Sequence, residues 1–172
     1  MARQFSMRIA QFLCSVVVDQ SWTWPADWAW GLPLIVITVL IHVVGLILVR
    51  LGALRVWKRT RPHWHPTAVF VIVIGLTTLL ATSLHGIEAT IWAVAYRFLG
   101  ALPDNRSAML YSLNAMTSYG HTNLRLEDRW HLMGAIEALN GWLLFGLSTA
   151  FLFGVIGKVF AAFDDGLEQR GT

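Results

Sequence analysis

Three long runs without a formal charge limit how this chain can fold more than any other feature. The first extends from Trp28 to Val49 and contains "LPLIVITVLIHVVGLILV", the second runs from Thr67 to Ile87, and the third from Ala138 to Gly157. An α-helix rises about 1.5 Å per residue, so about 20 apolar residues cross a hydrocarbon core of about 30 Å. The composition agrees, with 56% hydrophobic and 13% charged residues in 172, against about 25% charged in ordinary soluble domains. An all-α membrane protein with three transmembrane helices is expected. The helical pattern of the second span continues past Glu88 to Tyr96.

The charges outside these runs predict topology. The connector after the first span carries Arg50, Arg55, Lys58, Arg59 and Arg61 and no acid, whereas residues 97–131 mix four arginines with three acids. The positive-inside rule places the first connector in the cytoplasm, hence the N-terminus and the 97–131 segment outside and the C-terminal tail inside. Trp22, Trp24, Trp28 and Trp30 at one end of the first span, with Trp57 and Trp64 beyond the other, suit aromatic belts. Although the formal net charge is +3, the basic residues are not interleaved with stacking positions on one face, so no nucleic-acid partner is expected. Membrane lipid is the expected partner. The single cysteine, Cys14, cannot form a disulfide within the chain.

Residues 1–27 read as an N-terminal interfacial segment. Gln4, Arg8, Gln11 and Ser15 recur at helical spacing opposite Phe5, Ile9, Phe12, Leu13, Val16 and Val17, the pattern of an amphipathic helix lying on a membrane surface. A signal sequence over residues 1–20 is the rival reading. The first transmembrane helix is expected over 28–51, a basic connector over 52–66 and a cytoplasmic tail over 161–172.

Between the second and third spans, "LPDNRSAMLYSLNAM" offers Asp104 or Asn105 as an N-cap after Pro103 and then an apolar-rich helical run to Met116. Such a helix is too short to span a bilayer but suits a re-entrant element. Its carbonyl end carries partial negative charge and points at the polar run "TSYGHTN", Thr117 to Asn123. Non-helical backbone at membrane depth persists where it is buried in protein or lines water. An ion path follows from that placement.

The order helix, re-entrant half-helix, polar strand and second helix resembles the pore module of the potassium channel superfamily. Thr117, Ser118, Tyr119, Gly120, His121, Thr122 and Asn123 align without a gap on the family's "TTVGYGD" filter, and "FGLSTA", Phe145 to Ala150, is similar to the inner-helix hinge of bacterial members. The module spans residues 67–160, with an outer helix 67–98, a pore helix and filter 104–123 and an inner helix 131–160. The first span, with "IHVVGL", looks like the additional N-terminal helix of bacterial two-pore ion channel proteins. The resemblance implies a homotetramer around a central pore in a bacterial inner membrane, passing a monovalent cation, potassium foremost, along filter carbonyls. Thr122 stands where the family has its second filter glycine, His121 where it has tyrosine and Asn123 where it has an acid. A β-branched residue resists the positive φ that glycine adopts freely, so weakened potassium selectivity is expected.

Around the filter, Asn114, Glu137, Glu88 and His85 are expected to support it, with Glu137 either bracing it from behind or concentrating cations, and Gly146 to act as a gating hinge in the third span. A ring of His121 side chains could repel cations once protonated, against a plain packing role. His85 and Glu88 share one helix face one turn apart, and bonding to the re-entrant helix or to Glu137 is favoured over metal binding or proton relay. His42, alone in the first span, reads as structural. Glu127 and Asp128, between Arg125 and Arg129, read as a solvated charged rim. The six histidines form no catalytic motif, so no enzyme, small-molecule substrate, cofactor or metal beyond the permeant cation is expected. A non-conducting scaffold or accessory subunit that retains the channel fold is the alternative.

Overall fold

The computed structural model describes residues 24–60, 66–120 and 123–168. Within them the chain is all-helical: α1 (Trp24–Thr60), α2 (Pro66–Phe98), α3 (Asn105–Met116), a one-turn 3-10 helix (Asp128–Trp130) and α4 (Met133–Glu168). Helical segments Trp24–Val56, Thr67–Phe98 and Asp128–Lys158 are long and apolar enough to cross a membrane, which fits a multi-pass membrane protein. The amphipathic segment expected over residues 1–20 lies outside the described residues.

The helices outrun the expected spans. α1 has 37 residues and α4 has 36, about 55 Å each at 1.5 Å per residue. Arg55 and Arg59 therefore belong to α1 itself rather than to a connector beginning at residue 52. Arginine, lysine, leucine and alanine are good helix formers, and they carry the helix through Gly52 to residue 60.

Each long helix carries its apolar side chains outward. On α1, Leu32, Val36, Leu40, Val44 and Leu48 are exposed, while Asp27, Leu34, Thr38, His42 and Leu46 are buried at steps of seven and four. The corresponding inner row of α2 is Val69, Val73, Thr77, Ala81, Glu88, Trp92 and Tyr96, and that of α4 is Met133, Glu137, Asn140, Leu144 and Ser148. Grease outside and polar groups inside is the arrangement that suits lipid, where unpaired polar groups are costly. Between the helices, Asn140 Nδ2 donates to Thr38 Oγ1 at 2.9 Å, joining α4 to α1. Asp27 is buried beside Met133 at the start of α4, where helix polarity favours a carboxylate.

α3 is wedged between α2 and α4. Its N-cap is Asp104, whose carboxylate accepts from Ser107 N–H at 2.9 Å and from Ser107 Oγ–H at 2.7 Å. Gly141 makes the close approach of α4 possible, because a Cβ there would collide with the Met116 carbonyl. Backbone cannot swing aside as a side chain can, so α3 ends against a position that only glycine accommodates. Tyr96 and Tyr111 meet edge to face with ring centroids 5.3 Å apart and fill the space between α2 and α3.

Candidate functional site

The polar turn after α3 is built by helix capping. Thr117 N–H donates to Leu113 O at 3.1 Å, Ser118 N–H to Ala115 O at 3.0 Å and Tyr119 N–H to Asn114 O at 3.0 Å. The last two bonds form a Schellman motif, which satisfies carbonyls that a helix end leaves without partners. The motif needs a left-handed residue just past the cap. Ser118 fills that role at φ 54°, a place usually taken by glycine. Its side chain is fixed in turn, because Trp142 Nε1–H on α4 donates to Ser118 Oγ at 2.9 Å.

A polar strand leaving α3 directly was the expected geometry; the chain instead turns first. Thr117, Ser118, Tyr119 and Gly120 are all exposed, Tyr119 by 85%, and Gly120 has φ 91°. Asn123 is exposed as well, and Asn114 is half-buried with its carbonyl in the cap. His121 and Thr122 lie outside the described residues, and with them the substitution of the filter glycine and the histidine ring. Gly146 sits within unbroken α4, with open space where a Cβ would stand.

Behind α3 lies a first polar node. Tyr96 O–H donates to Glu137 Oε2 at 2.6 Å, the other carboxyl oxygen meets Ser112 Oγ in a short hydrogen bond, and Ser112 Oγ also reaches the Ala89 carbonyl at 2.7 Å. Glu137 has no exposed surface and ties α2, α3 and α4 together. Through Ser112 it is linked to α3.

A second node lies further along the bundle and differs from expectation. Glu88 and His85 find their partners on α1 and α4 rather than on α3 or Glu137. His42 Nδ1 is 2.7 Å from Glu88 Oε1, and His85 Nδ1 is 3.4 Å from Glu88 Oε2. Ser148 Oγ on α4 stands 3.0 Å from His42 Nε2 and 3.1 Å from His85 Nε2. The two imidazoles lie with centroids 5.0 Å apart, and the Phe145 ring stacks on His85 at 4.5 Å. His42 is thus not isolated in its span: helix packing delivers it to the pair on α2. The sequence signal for this was depth, since His42 and Glu88 each sit roughly three turns from the Trp30–Phe98 ring contact on neighbouring helices.

The expected rim holds one exposed ion pair, Arg129 Nε to Glu127 Oε2 at 3.3 Å. Exposed pairs of this type stabilise by about 0–1 kcal/mol, so it is a surface feature. Sequence reading missed Ser112, Tyr96 and Trp142 and takes Ser148 as bonded to its own helix backbone or facing a cavity, because each gains its role only through contacts between helices. Comparison with protein-family models, with curated proteins and with solved structures finds no match for this chain.

Proposed function

We propose that this chain is the protomer of a homotetrameric cation channel of the potassium channel type, set in a bacterial inner membrane with the polar turn outside and the basic end of α1 in the cytoplasm. The observation that carries the reading is the 12-residue α3, held between two long apolar helices and ending in an exposed polar turn where Ser118 and Gly120 both have positive φ. A short helix aimed at irregular polar backbone suits a cation path, because irregular backbone at membrane depth needs water or protein around it. Two features support assembly around that turn. Trp142 and Phe153 on α4 are 72% and 80% exposed in the single chain, and Ser118 is anchored to that same Trp142. Four copies meeting at α4 cover these rings and bring four turns to one axis, where backbone oxygens from Ser118 to Thr122 replace the hydration shell of a monovalent cation. Thr122 in place of glycine weakens discrimination between potassium and sodium.

A non-conducting scaffold is the second reading, and one feature favours it: Thr122 stands where the resembled filter has its second glycine, and a β-branched residue resists the positive φ that such a filter needs. Flux into liposomes separates the two. Reconstituted protein is expected to pass potassium and sodium at comparable rates, and Thr122→Gly to favour potassium. Tetrameric protein that passes neither ion sinks the channel reading in favour of the scaffold, and a monomer in detergent and in lipid sinks both.

A further inference from the structure

The hydrogen count at the second node leaves a gap. Ser148 has one hydroxyl hydrogen and stands within 3.0 and 3.1 Å of two Nε2 atoms. It can donate to one ring only, so the other ring must donate to it. With His42 Nδ1–H donating to Glu88 Oε1, Ser148 donates to His42 Nε2, and His85 Nε2–H donates to Ser148. His85 Nδ1 then presents a lone pair to Glu88 Oε2, and both atoms are buried without a hydrogen-bond partner. Two facing lone pairs in an apolar bundle call for a positive charge between them, either a proton, which turns the contact into an ion pair, or a metal ion.

We propose that His42, His85 and Glu88 form an intrachain site for a divalent first-row transition ion, zinc foremost. One donor atom from each residue lies within 4.8 Å of the others. Bonds of about 2.0–2.1 Å in a tetrahedron put ligand atoms about 3.3 Å apart. The 3.4 Å between His85 Nδ1 and Glu88 Oε2 matches that edge, and His42 Nδ1, 2.7 Å from the other carboxylate oxygen Oε1, is within reach as the third ligand once an ion replaces the proton it shares with Glu88. Two imidazoles and a carboxylate select zinc-like ions over magnesium and calcium, which prefer all-oxygen sets. Ser148 completes the site from behind. When both Nδ1 atoms ligate, both Nε2–H groups donate to Ser148 Oγ, the second partner that orients metal-bound histidine, and the serine hydrogen turns to its own helix backbone. His85 and Glu88 alone are two ligands and make a thin site; the third comes from α1, so the ion clamps the first helix onto α2 with α4 behind. The inference needs no second chain and goes beyond the channel reading.

The test uses full-length protein purified in detergent, stripped with a chelator and dialysed against zinc alone. One ion per chain is expected, unaffected by a large excess of magnesium or calcium. His63→Ala with His65→Ala keeps it, which removes the connector histidines from consideration. His42→Gln and Glu88→Gln are expected to lose the ion, and Ser148→Ala to bind about 10–100-fold more weakly. Cobalt, as a spectroscopic probe on unaltered protein, should show the intense visible absorption of low-coordinate N/O ligation, a readout that does not depend on any variant folding. Wild-type protein that binds no zinc and gives only octahedral cobalt overturns the proposal, and so does unchanged stoichiometry in both His42→Gln and Glu88→Gln.

Discussion

Glu137 and Glu88 are both carboxylates without exposed surface in the same helix bundle, yet they are finished differently. Each oxygen of Glu137 meets a hydroxyl, from Tyr96 and from Ser112, and because the single Ser112 hydrogen cannot serve both Glu137 and the Ala89 carbonyl, a proton on Glu137 completes the set. Glu88 has one oxygen bonded to His42 and one without a hydrogen-bond partner, facing an equally bare His85 nitrogen. A buried polar network whose members are all satisfied fixes a geometry, whereas a gap in one marks a place where something else binds. The first node therefore reads as the mounting of α3, and the second as a receptor.

The sharpest way to break this contrast is to remove the satisfied carboxylate. Glu137→Ala strands the buried Tyr96 hydroxyl and weakens the hold on Ser112. At about 1–3 kcal/mol for each unsatisfied group, a loss of about 3 kcal/mol is expected, with a large fall in the thermal unfolding temperature in detergent. Glu137→Gln preserves the shape and one acceptor and should fall much less. If Glu137→Ala unfolds at the same temperature as the unaltered protein, Glu137 is not the mounting of α3.

At Glu88 the amide should behave in the opposite sense. In chelated protein, Glu88→Gln lets the side-chain oxygen accept from His42 and the side-chain N–H donate to His85 Nδ1, filling the gap with no ion. Its stability is expected within about 1 kcal/mol of the unaltered protein and on the higher side. Added zinc then raises the unfolding temperature of the unaltered protein by mass action but not that of the variant. A Glu88→Gln protein as damaged as Glu137→Ala would erase the distinction between the nodes.

How far these nodes were legible in the sequence follows from the range of the interactions involved. The three spans and α3 could be read because charge-free length and a cap residue are local signals; Pro103, Asp104 and Ser107 mark the start of α3 within a few positions. His85 and Glu88 could be paired because one helix turn separates them. His42 could not be joined to them by periodicity, since its contact with Glu88 spans 46 positions and depends on how α1 is rotated against α2. That rotation is set by which positions are buried, and Asp27, Thr38 and His42 on one face gave it away only in part. The turn at Ser118 was misjudged as extended because serine is an uncommon left-handed cap, stabilised here by a tryptophan 24 positions away.

Asp104 supplies the small end of the scale, an exposed acid against which the two buried ones can be read. Its bonds to Ser107 backbone and side chain hold the carboxyl below its usual range, because both bonds favour the charged form. A depressed pKa in the folded state means that the charge stabilises the fold above the unfolded value of about 4, and that this stabilisation is lost as pH falls through the folded value. Asp104→Asn keeps an N-cap acceptor but cannot titrate. The unaltered protein should therefore unfold at a slightly higher temperature than Asp104→Asn at neutral pH, by less than either buried-site effect, and the gap should close as pH drops below about 4. Comparing the two proteins at each pH cancels the titration of Glu88 and Glu137, which both retain. A gap that stays constant from neutral to acid pH would show that the Asp104 charge contributes nothing to holding α3, leaving Glu137 as the acid that mounts it.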